Sequence, residues 1–340
     1  MNYFFYIVIL SILFLFINNY FIKRNILINI TGDVHQKFAS KLKIPLTGGI
    51  FIFLGILFFF NQNFKSLILF SSLILILGIC SDLKLIESAK KRFLFQITLV
   101  LSFVIFNDIQ IFDTRIIILD NFLQNHIFNY MFVSFCILIV INGSNFLDGL
   151  NTLSIGYYLL VCSTIYLLEF NNEIVLNEVV ITKFLVLFLF VFLFNLLNQF
   201  YLGDAGSYLL GFLFSIFLIY LYNLNSNLSP FFIILLLWYP CYETLFSMIR
   251  KKIFNKSMMH PDTNHLHQLI FFFVKKKYKL DTIYSNIFAA NIINFYNLLV
   301  FSFGFFFTHH SKIQIMLILL NLVIYTAIYF KAFTFKVQKK

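Results

Sequence analysis

Charge is what this 340-residue chain has least of. Aspartate, glutamate, lysine and arginine together make up 11% of it, whereas an ordinary soluble domain carries about 25%. Hydrophobic residues make up 61% and mean hydropathy is +0.89, which places the chain in a bilayer. Cysteine is also scarce. Cys80, Cys136, Cys162 and Cys241 lie in or at the ends of apolar runs without metal-ligand spacing, so they read as small apolar packers and imply no disulfide framework. No stretch rich in proline, glycine or serine forms a linker and no internal repeat is visible, so residues 1–340 read as one integral-membrane domain. The formal charge of +11 has no soluble basic domain to carry it, which argues against a nucleic-acid partner. The first apolar run lacks a basic leader and a small-residue cleavage site, and therefore reads as a retained helix.

What the chain does have is eleven apolar runs, at residues 3–22, 48–60, 66–80, 93–106, 127–141, 153–170, 184–197, 208–222, 231–249, 284–307 and 313–330. About 20 apolar residues span the hydrocarbon layer, so the expected fold is an all-α polytopic bundle of about 10 to 11 transmembrane helices, with the second and fourth runs short. Between the fourth and fifth runs, residues 116–119 read as a short strand or an interfacial segment. Short loops rich in lysine and arginine stay cytoplasmic. Of the 25 basic residues, only Lys65, Arg115, Lys183 and Lys312 fall on the sparse side. The N-terminus is expected outside and the C-terminus in the cytoplasm, and anionic lipid headgroups would attract the same basic loops.

Five polar stretches follow odd-numbered runs, at residues 32–49, 81–92, 142–152, 198–207 and 250–281, and so share the cytoplasmic face. Carboxylates at membrane depth are costly and usually face a polar cavity. Asp82, Asp148 and Asp204 each lie at a run's end on that face, and three such acids suggest a cation site. Oxygen donors with few nearby thiols favour Mg²⁺ or Mn²⁺ over zinc. Asp204 is the strongest candidate because Gly203 and Gly206 let backbone approach a ligand closely. The bland alternative is that each aspartate caps a helix. Asn145 and Asp148 fall on one helical face if the fifth run continues. His265 and His267, two apart beside Asp262 and Asn264, suit an anion or nucleotide better than zinc, for which no third ligand is evident. Pro45, Thr47, Gly48 and Gly49 could hold a phosphate through backbone N–H groups, and bland helix-start geometry explains them about as well.

In order along the chain, residues 33–49, 78–96, 142–156, 198–211 and 239–269 resemble the polyprenyl-phosphate N-acetylhexosamine-1-phosphate transferase superfamily. The 203–207 and 261–269 segments carry most of that resemblance. It implies a Mg²⁺-dependent, multi-pass enzyme of the bacterial inner membrane with its active site in the cytoplasm. Its substrates would be a UDP-sugar and an undecaprenyl-type polyprenyl phosphate, the product would be UMP, and a homodimer stays open. By position, Asp204 and Asp148 would ligate metal, Asp82 would lie near the lipid phosphate, Asn145 would contact nucleotide or metal, and His265 and His267 would bind the diphosphate or uridine side. Lys37, Gly48 and Gly49 join them as substrate-binding candidates. The pattern departs at Ser81, where relatives usually carry a first aspartate, at Asn151 and Gln268, and at Glu243, a position often held by aspartate. Competing readings are a transporter or flippase, and an inactive homologue. Transporters place polar groups near the midplane, whereas these acids cluster at the ends of runs.

Overall fold

The computed structural model describes residues 3–29, 43–59, 64–176, 178–255 and 263–338. Along them run fourteen helices: α1 (Tyr3–Arg24), α2 (Gly48–Phe59), α3 (Lys65–Asp82), α4 (Ala89–Phe106), α5 (Ile117–Leu123), α6 (His126–Leu147), α7 (Leu153–Phe170), α8 (Glu178–Leu196), α9 (Gly203–Leu224), α10 (Pro230–Leu236), α11 (Trp238–Ile253), α12 (Leu266–Tyr278), α13 (Thr282–Phe305) and α14 (Ser311–Gln338). Among the described residues there is no strand, only an isolated bridge between Ile28 and Pro45. Residues 117–119 begin α5 instead of a strand. The Asp120 carboxylate accepts hydrogen bonds from Thr114 N and Oγ1 at 2.7 and 2.6 Å, which closes the turn leading into that helix.

Seven helices are long and apolar enough to cross a membrane: α1, α3, α6, α7, α9, α13 and α14. The apolar helices α2 and α8 are shorter, and α4 opens with Lys90, Lys91 and Arg92. The ninth expected run is not one straight span. It breaks into α10 and α11 with a 73° bend. Pro240 supplies the reason, since a proline lacks the N–H that would bond the carbonyl four residues earlier. That carbonyl, Leu236 O, accepts instead from the Tyr157 hydroxyl at 2.8 Å. With this pair counted as one span, each expected run has its helix, and the protein is an all-α, multi-pass membrane protein.

Helix α9 is the axis of the bundle. Over an apolar 18-residue stretch, 83% of its residues are buried, against 22% for the corresponding stretch of the peripheral α14. Lipid offers little hydrophobic drive for helices to associate, so small residues that allow close backbone contact decide which helices pack. A Cβ on Gly78 of α3 would lie 2.3 Å from Ala205 Cα, and one on Gly49 of α2 would lie 2.6 Å from Gly206 N. The first turn of α9 is thus wedged between α2 and α3, with α6 alongside.

Candidate active site

The site is built around the turn that starts α9. Gly203 has φ +67°, a left-handed conformation that favours glycine. A Cβ there would also meet Asp82 Oδ2 at 2.7 Å. This turn aims three successive amides at two carboxylates from other helices. Asp204 N and Ala205 N donate to Asp82 Oδ1 and Oδ2 at 2.9 and 3.1 Å, and Gly203 N donates to Asp148. Asp82 ends α3 and Asp148 follows α6, so each caps a helix other than its own. Charged acceptors at a helix N-terminus make strong caps. Burial pushes the Asp148 carboxyl well above the usual carboxylate range, with Asp82 and Asp204 nearby adding to the rise.

With its backbone clamped in this way, Asp204 presents its side chain into the cleft, where 24% of it is exposed. Its Oδ2 accepts from Arg92 Nη1 at 2.8 Å, from Ser81 Oγ and from Tyr208 Oη at 3.3 Å. Its Oδ1 accepts from Asn145 Nδ2 at 2.6 Å. Arg92 Nη1 also donates to Ser81 Oγ. Three aspartates thus meet at one turn, in unequal roles: two hold the backbone and the third faces outward. Among the described residues no three His, Cys, Asp or Glu side chains are arranged as a ready-made metal cage.

The histidines lie against Phe146 and Gly149, on either side of Asp148 in the sequence. His265 begins α12 in a capping box, its backbone N donating to Gln268 Oε1 at 3.2 Å. Its Nδ1 pairs with Glu243 Oε1 at 2.9 Å, and Glu243 Oε2 accepts from Tyr325 Oη at 2.7 Å. The His265 ring lies 4.9 Å from Phe146 and stacks on His267 at 5.6 Å. His267 is fully buried with its Nε2 against Gly149, where an added Cβ would sit 2.2 Å away. Burial pushes the His267 pKa down to about 3, so the ring is neutral at physiological pH.

The Asp148 and Asp204 loops are stapled by buried amides. Asn195 Oδ1 accepts from Thr152 N at 2.7 Å, while its Nδ2 donates to Phe200 O at 2.9 Å. Asn286 Oδ1 accepts from Asn151 N at 2.7 Å. Gly48 is buried against Phe200 and Leu202, just before α9, and Gly49 against Ala205 and Gly206 within it. Gly48 N donates to Tyr201 O at 3.1 Å, so this N–H is already engaged within the protein. Lys37 lies outside the described residues.

This arrangement falls largely within a recognisable stretch of chain. Residues 64–222 match the model of glycosyl transferase family 4. Over that stretch the chain is similar to that family. It is 25% identical over 251 residues to the probable undecaprenyl-phosphate N-acetylglucosaminyl 1-phosphate transferase of Bacillus subtilis, covering 70% of this chain and 68% of that one. It is 26% identical over 228 residues to the undecaprenyl-phosphate alpha-N-acetylglucosaminyl 1-phosphate transferase of Thermotoga maritima, covering 66% of this chain and 67% of that one. The matched segment contains all three aspartates together with Ser81, Arg92 and Asn145.

Sequence reasoning counted Arg92 only as a topogenic charge, and it missed Tyr208, Asn195 and Tyr325 altogether. Glu243 carried a usable signal, as an acid inside an apolar run, where an unpaired charge is expensive.

Proposed function

We propose that this protein transfers a sugar 1-phosphate from a UDP-sugar to an undecaprenyl-type polyprenyl phosphate, with Mg²⁺ (or Mn²⁺) as cofactor, at the cytoplasmic face of the bacterial inner membrane. The observation that carries the reading is the convergence of Asp82, Asp148, Asp204 and Asn145 on the first turn of α9, in a chain similar to one probable and one named undecaprenyl-phosphate N-acetylglucosaminyl 1-phosphate transferase. An oxygen of the lipid phosphate attacks the sugar-proximal phosphorus, a new P–O bond forms, and the bond to the bridging oxygen breaks. UMP leaves with that electron pair.

The attacking phosphate has a second pKa of about 6, so it is largely deprotonated at neutral pH and needs no protein base. Ser81 can therefore stand near the reaction without removing a proton. Two phosphates repel as they approach, so positive charge and donors must offset the charge that develops between them. The first amides of α9 do not serve this purpose, because Asp82 and Asp148 occupy them. Asp204 and Asp148, with the Asn145 amide and the Ser81 hydroxyl close by, form an all-oxygen donor set that suits a hard cation. Mg²⁺ typically uses one or two protein carboxylates and takes its other ligands from water and substrate phosphates. When bound, the ion would neutralise phosphate charge. His265, oriented by Glu243, and neutral His267 would contribute N–H donors on the diphosphate or uridine side.

The test is release of UMP by purified protein given a polyprenyl phosphate and a panel of UDP-sugars, with and without Mg²⁺. Metal-dependent UMP with one of the sugars is the expected result. Absence of UMP with every sugar, from protein that is folded in detergent, rejects the reading.

A further inference from the structure

The carboxylate that faces the cleft already has a cation. Arg92 sits in the first turn of α4 and donates to Asp204 at the first turn of α9. Both are helix N-termini, where the backbone dipoles disfavour a positive charge. Nothing about its local position recommends this arginine. What holds it is the Asp204 carboxylate, with Ser81 Oγ touching both partners.

Among the described residues, only Asp204 of the three aspartates at this turn is paired with a guanidinium. Asp82 lies nearby, but both its oxygens are taken by amides of α9. Asp148 receives Gly203 N. Ser81 is uncharged. The Asp204 carboxylate thus has one oxygen held by the guanidinium and the other bonded to Asn145, so a divalent ion reaching it must displace a bonded partner. The ion pair is also only partly buried, with 28% of the Arg92 side chain and 24% of the Asp204 side chain exposed. Pairs at that exposure exchange at modest cost.

We infer that Arg92 is the resident counter-cation of Asp204 and gives up that place when a divalent cation binds, so that guanidinium and metal compete for one carboxylate. This rests on the reading of Asp204 as a cation ligand given above. Ser81 sets the balance. An acid at this position would hold the arginine and leave the Asp204 charge to the metal, whereas a hydroxyl leaves guanidinium and metal competing for Asp204.

The experiment measures Mn²⁺ binding by paramagnetic resonance to the full-length protein in detergent, without substrates. Arg92→Gln is expected to bind Mn²⁺ about tenfold more tightly than wild type, the ratio for loss of one competing charge-assisted bond. Arg92→Lys should fall between them, Ser81→Asp should also bind more tightly, and Asp204→Asn should lose the site. If Arg92→Gln does not fold, the Arg92→Lys and Ser81→Asp arms still decide. Equal or weaker Mn²⁺ affinity in folded Arg92 variants overturns the inference, as does no Mn²⁺ uptake by any variant. UMP release by the same wild-type preparation distinguishes failure of this exchange from failure of the proposed function.

Discussion

Arg92 and Arg115 lie at the two ends of α9 and show how differently one side chain can be used. Arg115 stands near the end of α9, where the helix exposes carbonyls and partial negative charge. Its guanidinium donates to the carbonyls of Ser226, Asn227, Leu228 and His309 at 3.3, 3.0, 2.8 and 3.2 Å, and to Ser311 Oγ at 2.9 Å. Every acceptor is neutral, four in loops and one at the first residue of α14, so this arginine ties loops together, and among the described residues its guanidinium has no charged hydrogen-bond partner to exchange. At the start of α9 the dipole points the other way, and Arg92 is held by one carboxylate in a cleft. Favourable backbone electrostatics and neutral acceptors mark the fixed end. Unfavourable backbone electrostatics, offset by a single exchangeable anion, mark the working end.

The sharpest way to break this comparison is to remove the anion. Asp204→Asn keeps the shape and the Asn145 contact and loses the charge. Turnover should fall on the order of 1000-fold, the scale for removing a preorganised electrostatic group, with the melting temperature in detergent within a few degrees of wild type. A rate near wild type would take Asp204 out of the chemistry and leave Arg92 as a second structural arginine. The converse substitution, Arg115→Met, should leave UMP release within about twofold and cost roughly 1–2 kcal/mol of stability, the worth of one or two net hydrogen bonds to a charged group. Loss of activity without loss of stability in Arg115→Met would erase the distinction between the ends.

Much of the working end was legible in the sequence because its signals are local. Gly203, Asp204 and Gly206 advertise close backbone approach, and acids at the ends of apolar runs are too costly to be incidental. The division of labour among those acids was not legible. Asp82 and Asp148 read as partners of Asp204 in one cation site until the turn at Gly203 shows their oxygens bonded to amides more than fifty residues away in sequence. Arg92 was hidden for a similar reason: within its own segment it looks like Lys90 and Lys91, and only the packing of α3, α4 and α9 brings it to Asp204. The break between α10 and α11 did have a mark, Pro240, but the apolar run continues through it and hydropathy alone does not register a missing N–H.

The smallest predicted effect concerns how His267 is stored at the working end. Its pKa of about 3 lies below the ordinary value of 6.5. Between those values the unfolded chain binds more protons than the folded one, so stability rises with pH across the window and is lost as pH falls below about 6.5. By pH 5.5 the loss from this one ring should approach about 1 kcal/mol, since one pKa unit corresponds to about 1.4 kcal/mol. Melting temperatures of wild type and His267→Gln, compared at pH 7.5 and 5.5, isolate the effect, because other titrating groups are common to both. Wild type should lose more stability on acidification than the variant. Parallel behaviour would mean that the ring takes up its proton in the folded protein, as a phosphate-binding imidazolium would, and His267 would then join Arg92 among the exchangeable charges of the cleft.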